Sequence, residues 1–219
     1  MKAVYGIYGA SGYGREVFPL ARAQLSSWDH DIFFIDDGLA GSVINNYRVL
    51  SFDQFNSIEA IEKNVSLAIA DPLIRRSLSE KLEESGILHW TVRASNVVTL
   101  DEFSVGEGAI LSPFVTLTSN ISIGKSFHAN IYSYVAHDCE IGNFVTFAPG
   151  VMCNGNVKIG DNVYIGSGAV IKQGKPGKPL VIGDGAVIGM GAIITKNVPA
   201  GSVLIATPTR PIERKGLGR

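Results

Sequence analysis

Hydrophobic side chains recur at every sixth position in the second half of this chain. From 105 to 171 the step never varies, and each position holds an aliphatic, aromatic or other small side chain. These positions are Val105, Leu111, Leu117, Ile123, Ala129, Val135, Ile141, Phe147, Cys153, Ile159, Ile165 and Ile171. An α-helix shows a period of about 3.6 residues and a half-buried strand a period of about 2. A sustained six-residue period therefore predicts a β-solenoid with three short strands per coil.

A second set of inward positions is expected four residues after the first. The side chains there are small or apolar throughout: Ala109, Val115, Ile121, Phe127, Ser133, Cys139, Val145, Val151, Val157, Val163, Ala169, Ala186, Ala192, Val198 and Leu204. One insertion interrupts the repeat, because the prolines and glycines of residues 172–179 predict a loop. The register resumes at Ile182, Ile188, Ile194 and Ala200.

The first part of the chain has a different pattern, in which buried strands alternate with helices. We predict strands at 3–8, 31–35 and 65–70, and helices at 15–24, 53–63 and 72–85. Such alternation indicates a small parallel sheet. The chain is therefore divided into an α/β half-Rossmann domain over residues 1–90 and a β-helix domain over 91–219.

A glycine turn at residues 9–14 lies between the first strand and its helix. Glycines let the backbone approach a phosphate, and a helix N-terminus offers free N–H groups to an anion. Asp36 follows Gly14 by 22 residues, at the end of the second strand, where a carboxylate can reach a ribose or a base. The glycine order differs from that of dinucleotide sites, and the domain is half the size that those sites need. We favour a mononucleotide, with a purely structural turn as the alternative.

The two parts together resemble the PglD/NeuD-type family of sugar acetyltransferases, and residues 105–205 resemble its left-handed hexapeptide β-helix. The resemblance implies a homotrimer that transfers acetyl from acetyl-CoA to a nucleotide-linked amino sugar for surface glycans. It also implies that the glycine turn and the acids after the second strand bind the nucleotide sugar. The corresponding residues here are Gly9, Ser11, Gly12, Tyr13, Gly14, Arg15, Asp36 and Asp37. Tyr13 replaces a histidine that many members have, and Arg15 replaces a lysine.

Of the four histidines, only His128 and His137 lie in the repeats. His137 is two positions past an inward residue, which places it at a corner between strands, whereas His128 should point outward from a flat face. The segment from His137 to Gly142 resembles the family's catalytic segment, in which the histidine is the general base and the next acid, here Asp138, orients it. A structural corner histidine is the alternative.

Gly155 follows His137 by 18 residues, which is one full coil. We expect it to lie directly above the histidine, to leave room for the thioester and to offer its N–H to the oxyanion. Lys172, Lys175 and Arg210 are candidates for the acetyl-CoA phosphates. Cys139 and Cys153 both fall on inward positions, so we expect direct attack by the sugar amine and no acyl-cysteine intermediate.

Bulk composition excludes several other kinds of function. Lysine and arginine number 19 against 20 acids, so there is no excess charge to attract nucleic acid or an anionic membrane. No apolar run is long enough for a membrane span, and we expect a cytoplasmic protein. γ-Type carbonic anhydrases share the solenoid but need three zinc-binding histidines, and only two lie in the coils. We therefore expect no metal.

Two alternatives to an amino-sugar N-acetyltransferase remain at this point. One is O-acetylation of sialic acid or another sugar, and the other is a non-enzymatic β-helix scaffold with a nucleotide-sugar sensor domain. By resemblance alone, the acceptor is expected to be a 4-amino-4,6-dideoxyhexose. The sequence does not distinguish UDP, dTDP and GDP as its carrier.

Overall fold

The computed structural model describes residues 2–25 and 31–207. Its first domain is a six-stranded sheet in the order β3-β4-β2-β1-β5-β6, in which only β3 and β4 pair antiparallel. The elements are β1 Ala3–Tyr8, α1 Gly12–Gln24, β2 Asp31–Ile35, β3 Val43–Ile44, β4 Tyr47–Leu50, α2 Phe52–Asn56, β5 Glu62–Leu67, α3 Pro72–Glu84 and β6 Leu88–His89. The predicted α/β architecture is confirmed.

The third predicted strand, at 65–70, is shifted towards the N-terminus, since β5 covers Glu62–Leu67, and two further details of this domain differ from the sequence prediction. The helix expected at 53–63 is wrong in its second half, because α2 ends at Asn56 and β5 already begins at Glu62. Pairing of the whole of β5 with β1 outweighs the local helix preference. The hairpin β3–β4 was missed, although its turn residues Asn45 and Asn46 both have positive φ, a known hairpin signal.

The second domain is a parallel β-helix with three faces. Face 1 comprises β7 Val92–Arg93, β10 Ile110–Leu111, β13 His128–Ala129, β16 Thr146–Phe147, β19 Tyr164–Ile165, β22 Val187–Ile188 and β24 Val203–Leu204. Face 2 comprises β8 Val98–Thr99, β11 Thr116–Leu117, β14 Tyr134–Val135, β17 Met152–Cys153, β20 Val170–Ile171 and β23 Ile193–Ile194. Face 3 comprises β9 Phe103–Val105, β12 Ile121–Ile123, β15 Cys139–Ile141, β18 Val157–Ile159 and β21 Leu180–Ile182.

The six-residue register describes the solenoid core through Ile194. Side chains at both sets of inward positions form one continuous buried cluster along the axis. The insertion at 172–179 is also confirmed, since Ile159 pairs with Ile182, five residues beyond the usual offset of 18. These strands form the three-faced coil that the repeat predicts, and it is the left-handed β-helix that the family resemblance implies.

The register prediction is wrong for the last coil, where Ala200 and Leu204 are exposed. Val198 pairs with Ile182, and Leu204 with Ile188, each 16 residues on instead of 18. Pro199 follows Val198 immediately, and a proline has no N–H for the strand ladder. The last coil is therefore shortened by two residues.

The first domain covers one side of the solenoid, which consists of the N-terminal coils of face 1 and the corner between faces 3 and 1. Ile110 of face 1 packs in one cluster with Ile7 and Val17 of the first domain. Arg75 of α3 is fully buried at this boundary and donates to the carbonyls of Ser126 and Phe144. It also donates to Ile69 and Ala70 of its own domain. This guanidinium therefore joins the two domains.

Burial lowers the pKa of Arg75 to about 10, so the side chain remains charged at neutral pH. No helix in the described parts of the chain is both long and apolar enough to cross a bilayer.

Candidate active site

His137 lies at the corner between faces 2 and 3, in the turn that joins β14 to β15. Its Nδ1 is 2.7 Å from Oδ2 of Asp138, and both side chains are about half exposed. The hydrogen bond from His137, followed by one from Asn120, holds the pKa of the Asp138 carboxyl below its usual value. With Nδ1 engaged by the carboxylate, Nε2 is the nitrogen available to accept a proton from a substrate.

Gly155 faces the imidazole of His137, as the 18-residue coil predicts. A Cβ built on Gly155 would lie 2.5 Å from Cε1 and 2.6 Å from Nε2 of the ring. The missing side chain thus makes room first for the histidine ring itself, a reason that the sequence did not provide. Gly155 is buried, and its N–H donates to no backbone carbonyl of the described residues.

Cys139 and Cys153 are both buried in the solenoid core. They face each other, and contact with Cys139 together with burial raises the pKa of the Cys153 thiol well above its usual value. Neither sulfur is exposed beside His137, which matches the inward positions expected for both.

The glycine turn lies at the carboxyl end of β1 and leads into α1. Gly9 has φ +104°, and a Cβ on Gly14 would overlap the Gly9 carbonyl oxygen, so both positions require glycine. Ser11 is the N-cap of α1, and its hydroxyl makes no capping hydrogen bond. The first turn of α1 therefore presents N–H groups and a free hydroxyl at an exposed edge, an arrangement suited to a phosphate.

The two acids after β2 already bind the protein's own backbone. Asp36 accepts from the N–H groups of Ala10 and Gly38, which fixes the glycine turn against the end of β2. Asp37 accepts from the Tyr8 hydroxyl and from the Phe52 N–H. Both carboxylates thus shape the expected nucleotide site, and any contact with a base would be additional to these bonds.

Tyr13 departs from its expected position in the nucleotide site. Its ring packs on His128 with centroids 5.3 Å apart, so the phenol lies in the boundary between the domains. His128 points outward from face 1, as expected, but the first domain buries it completely. Burial, and then the charge of Arg75, lower the pKa of His128 well below its usual value. Arg15, in contrast, is exposed on α1.

Lys172 and Lys175 line a cavity at the corner between faces 2 and 3, the corner that also carries His137. The cavity lies nearer the C-terminal end of the solenoid. The cavity has a volume of about 230 Å³ and is also lined by Lys178 and Lys196. Gly174 lies directly above Gly155, to which its N–H donates. Lys178 is the third lysine of the predicted loop. The sequence prediction missed Lys196, although this residue lies at the next corner along the same stack. Arg210 lies outside the described residues.

The structure does not bring the glycine turn and His137 of one chain together. The first domain rests on face 1 and the corner between faces 3 and 1, whereas His137 lies at the corner between faces 2 and 3. Face 2, which borders His137, carries outward apolar side chains that are exposed. Among them Val98, Met152 and Ile193 are 50%, 42% and 71% exposed.

One group of potential metal ligands occurs among the described residues, formed by Glu83, His89 and Glu107 near the domain boundary. The Lys125 ammonium already lies 2.8 Å from Oε1 of Glu83. A lysine of the protein thus occupies the place of a cation beside that carboxylate.

Comparison with known proteins gives consistent matches over the whole chain. The PglD N-terminal domain matches residues 6–82, and the hexapeptide repeat of succinyl-transferase matches residues 156–196. GDP-perosamine N-acetyltransferase from Escherichia coli O157:H7 is 50% identical over 214 residues, which cover 96% of this chain and 97% of the relative.

Two solved structures resemble this one over nearly their full length. WeeI from Acinetobacter baumannii AYE is 55% identical with a TM-score of 0.92, covering 95% of this chain and 99% of that structure. The acetyltransferase domain of PglB from Neisseria gonorrhoeae FA1090, in complex with acetyl coenzyme A, is 25% identical with a TM-score of 0.82. That match covers 97% of this chain and 100% of the PglB domain.

Proposed function

This chain belongs to the PglD/NeuD-type family of hexapeptide-repeat sugar acetyltransferases, and from that premise we propose that it transfers acetyl from acetyl-CoA to the amino group of GDP-perosamine. The observation that carries the proposal is the 50% identity, over 96% of this chain, with the relative called GDP-perosamine N-acetyltransferase. Perosamine is a 4-amino-4,6-dideoxyhexose, which agrees with the acceptor expected from the sequence. The proposal also narrows the nucleotide from UDP, dTDP or GDP to GDP.

His137 is the general base of the proposed reaction. The sugar nitrogen attacks the thioester carbonyl carbon, and Nε2 of His137 removes a proton from that nitrogen. The tetrahedral intermediate then breaks its C–S bond, and the CoA sulfur takes the proton back from His137. Asp138, 2.7 Å from Nδ1, keeps the ring in the tautomer with a free Nε2 and stabilises the imidazolium that forms.

The Gly155 N–H supplies the oxyanion donor in this proposal. Gly155 lies against the imidazole, and its N–H has no backbone acceptor among the described residues. A donor aimed at the developing oxyanion lowers the barrier because the charge appears only in the transition state. Acetyl passes directly to the amine, since Cys139 and Cys153 are both buried in the core.

The lysine cavity is proposed to hold the CoA phosphates. Lys172, Lys175, Lys178 and Lys196 converge on it, and no acid is among its lining residues. It lies along the same corner as His137 and Gly155, two to three coils further on, or roughly 10–15 Å at the usual strand spacing. An extended pantetheine arm can span that distance with the thioester at His137.

We propose that each active site is shared between two chains of a homotrimer. A sugar on the glycine turn lies across the solenoid from His137 of its own chain, so the histidine must come from another copy. The exposed apolar side chains of face 2 border His137 and provide a surface for that copy. Phe114 and Tyr132 stack at the edge of this face with ring centroids 4.8 Å apart.

We place the reaction in the cytoplasm, where acetyl-CoA and nucleotide sugars are available, as a step in building a surface polysaccharide.

The proposal is tested by incubating the protein with acetyl-CoA and, in parallel, GDP-perosamine and the corresponding UDP- and dTDP-linked 4-amino sugars. We expect one acetyl group on the sugar nitrogen, fastest with the GDP sugar, when the products are examined by mass spectrometry and NMR. An acetyl group on a hydroxyl would favour an O-acetyltransferase. Binding of the nucleotide sugar without any product would favour a sensor.

A further inference from the structure

The Asp138 carboxylate has a second partner besides the histidine. Oδ2 faces Nδ1 of His137 at 2.7 Å, while Oδ1 accepts from the side-chain amide Nδ2 of Asn120 at 3.1 Å. The three side chains thus form a continuous line from the amide to the imidazole. Asn120 does not reach the ring, so it can act only through the carboxylate.

Asn120 and Asp138 occupy equivalent corner positions one coil apart. Their φ angles are +57° and +58°, a conformation that asparagine and aspartate adopt more readily than most residues. The Asn120 N–H donates to the Asp101 carbonyl, and the Asp138 N–H donates to that of Ser119. Because both backbones are held in this way, the two side chains emerge in parallel with the amide beneath the carboxylate.

An exposed carboxylate with a single partner loses side-chain entropy when it is held in one orientation. Asp138 is 47% exposed, and water competes for both of its oxygens. A second hydrogen bond to the other oxygen fixes the plane of the carboxylate and therefore the direction in which Oδ2 meets the ring. That direction determines which imidazole nitrogen carries the proton.

We propose that Asn120 is a positioning residue for catalysis: its amide orients Asp138 so that His137 keeps its proton on Nδ1 and presents an unprotonated Nε2 to the sugar amine. The inference rests on the proposed acetyl transfer and adds a residue to it. Asn120 touches neither substrate in this scheme, so its loss is expected to change kcat and leave the KM values unaffected.

The first experiment compares Asn120→Ala with a matched variant, Asn162→Ala. Asn162 is also a corner asparagine with φ +57°, so the second variant introduces the same backbone strain away from His137. We expect kcat to fall about three- to tenfold in Asn120→Ala, a part of the 10²–10⁴-fold that a general base contributes. Asn162→Ala should keep the wild-type kcat. In an Asp138→Asn background, Asn120→Ala should have no further effect, since the group through which it acts is gone.

The second experiment needs no turnover. Histidine-labelled protein is examined by ¹⁵N NMR, and the His137 signal is assigned from its loss in His137→Ala. We expect the Nδ1–H tautomer in the wild type and in Asn162→Ala, and a shift towards Nε2–H in Asn120→Ala. An unchanged tautomer in Asn120→Ala overturns the role of Asn120, whether or not the protein acetylates sugars. An inactive wild type in which the tautomer nevertheless shifts would overturn the proposed function and leave the positioning role intact.

Discussion

Substituting Gly155 by alanine places a methyl group where the His137 ring now lies. The new Cβ would be 2.5 Å from Cε1, 2.6 Å from Nε2 and 2.9 Å from Nδ1. Carbon contacts become ordinary near 3.4 Å, so the ring must move by about 1 Å. The backbone of Gly155 is outside the left-handed region, and alanine adopts its conformation without strain.

The displaced ring is half exposed and can swing towards solvent, so folding should hardly be affected. Catalysis should be strongly affected, because a displacement of about 1 Å can lower the rate about 100-fold, which corresponds to ~2.7 kcal/mol of activation free energy. The 2.7 Å contact with Asp138 would also be lost. We therefore expect Gly155→Ala to reduce kcat/KM about 100-fold and to change the free energy of unfolding by less than ~0.5 kcal/mol.

The assay is release of the CoA thiol, followed with a thiol reagent over a range of both substrates, alongside a thermal melt. The control is the same substitution in a His137→Ala background, where no ring remains for the methyl group to displace. There, Gly155→Ala should leave the residual kcat/KM nearly unchanged, because the backbone keeps its conformation. A Gly155→Ala variant with wild-type kcat/KM would refute the placement of the catalytic ring against Gly155.

Three further predictions follow from the domain boundary and the shared site. Arg75→Met leaves four carbonyls without their charged donor and should lower the free energy of unfolding by at least ~3 kcal/mol in urea, whereas its surface neighbour Arg76→Met should change it by less than ~1 kcal/mol. The pKa of His128 is lowered in the folded state, so the unfolded chain binds the proton first and stability should fall as pH drops below about 6.5, by at most ~1.4 kcal/mol per pH unit. The His128 contribution to the slope of melting temperature against pH, between pH 7 and 5, should vanish in His128→Gln. An unchanged slope in that variant would contradict the prediction. Gly12 has open space for a side chain, so Gly12→Asp should fold normally and repel the phosphates. In trimers assembled from equal amounts of Gly12→Asp and His137→Ala chains, about one quarter of the shared sites combine an intact glycine turn with an intact histidine, so about one quarter of the wild-type activity should return. No recovery would indicate a site within one chain.

Much of the solenoid could be predicted because its structure repeats. The period of six predicts a coil of 18 residues, which places Gly155 over His137, and the inward register places both cysteines in the core. The prediction failed in the last coil, where Pro199 interrupts the ladder after Val198 and the coil is two residues shorter than the others. The six-residue period predicts further coils of the same length and does not indicate at which residue the regular coils end.

Contacts between the domains could not be predicted in the same way. The family resemblance predicts Tyr13 in the nucleotide site, yet the direction of its side chain depends on how α1 docks on face 1. The sequence alone predicts Arg75 as an exposed helix residue, because nothing in it shows that the carbonyls of Ser126 and Phe144 accept from its guanidinium. Asn120, in contrast, is 18 residues before Asp138, so the stacking rule that found Gly155 could also have found it.

The central claim is tested most directly by the rate of CoA release with acetyl-CoA and GDP-perosamine in the wild type and in His137→Ala. We predict steady turnover that requires the sugar in the wild type. In His137→Ala, kcat should fall about 10²–10⁴-fold while acetyl-CoA still binds. A His137→Ala enzyme with near-wild-type turnover would contradict the assigned base, and no release with GDP-perosamine would contradict the proposed reaction itself.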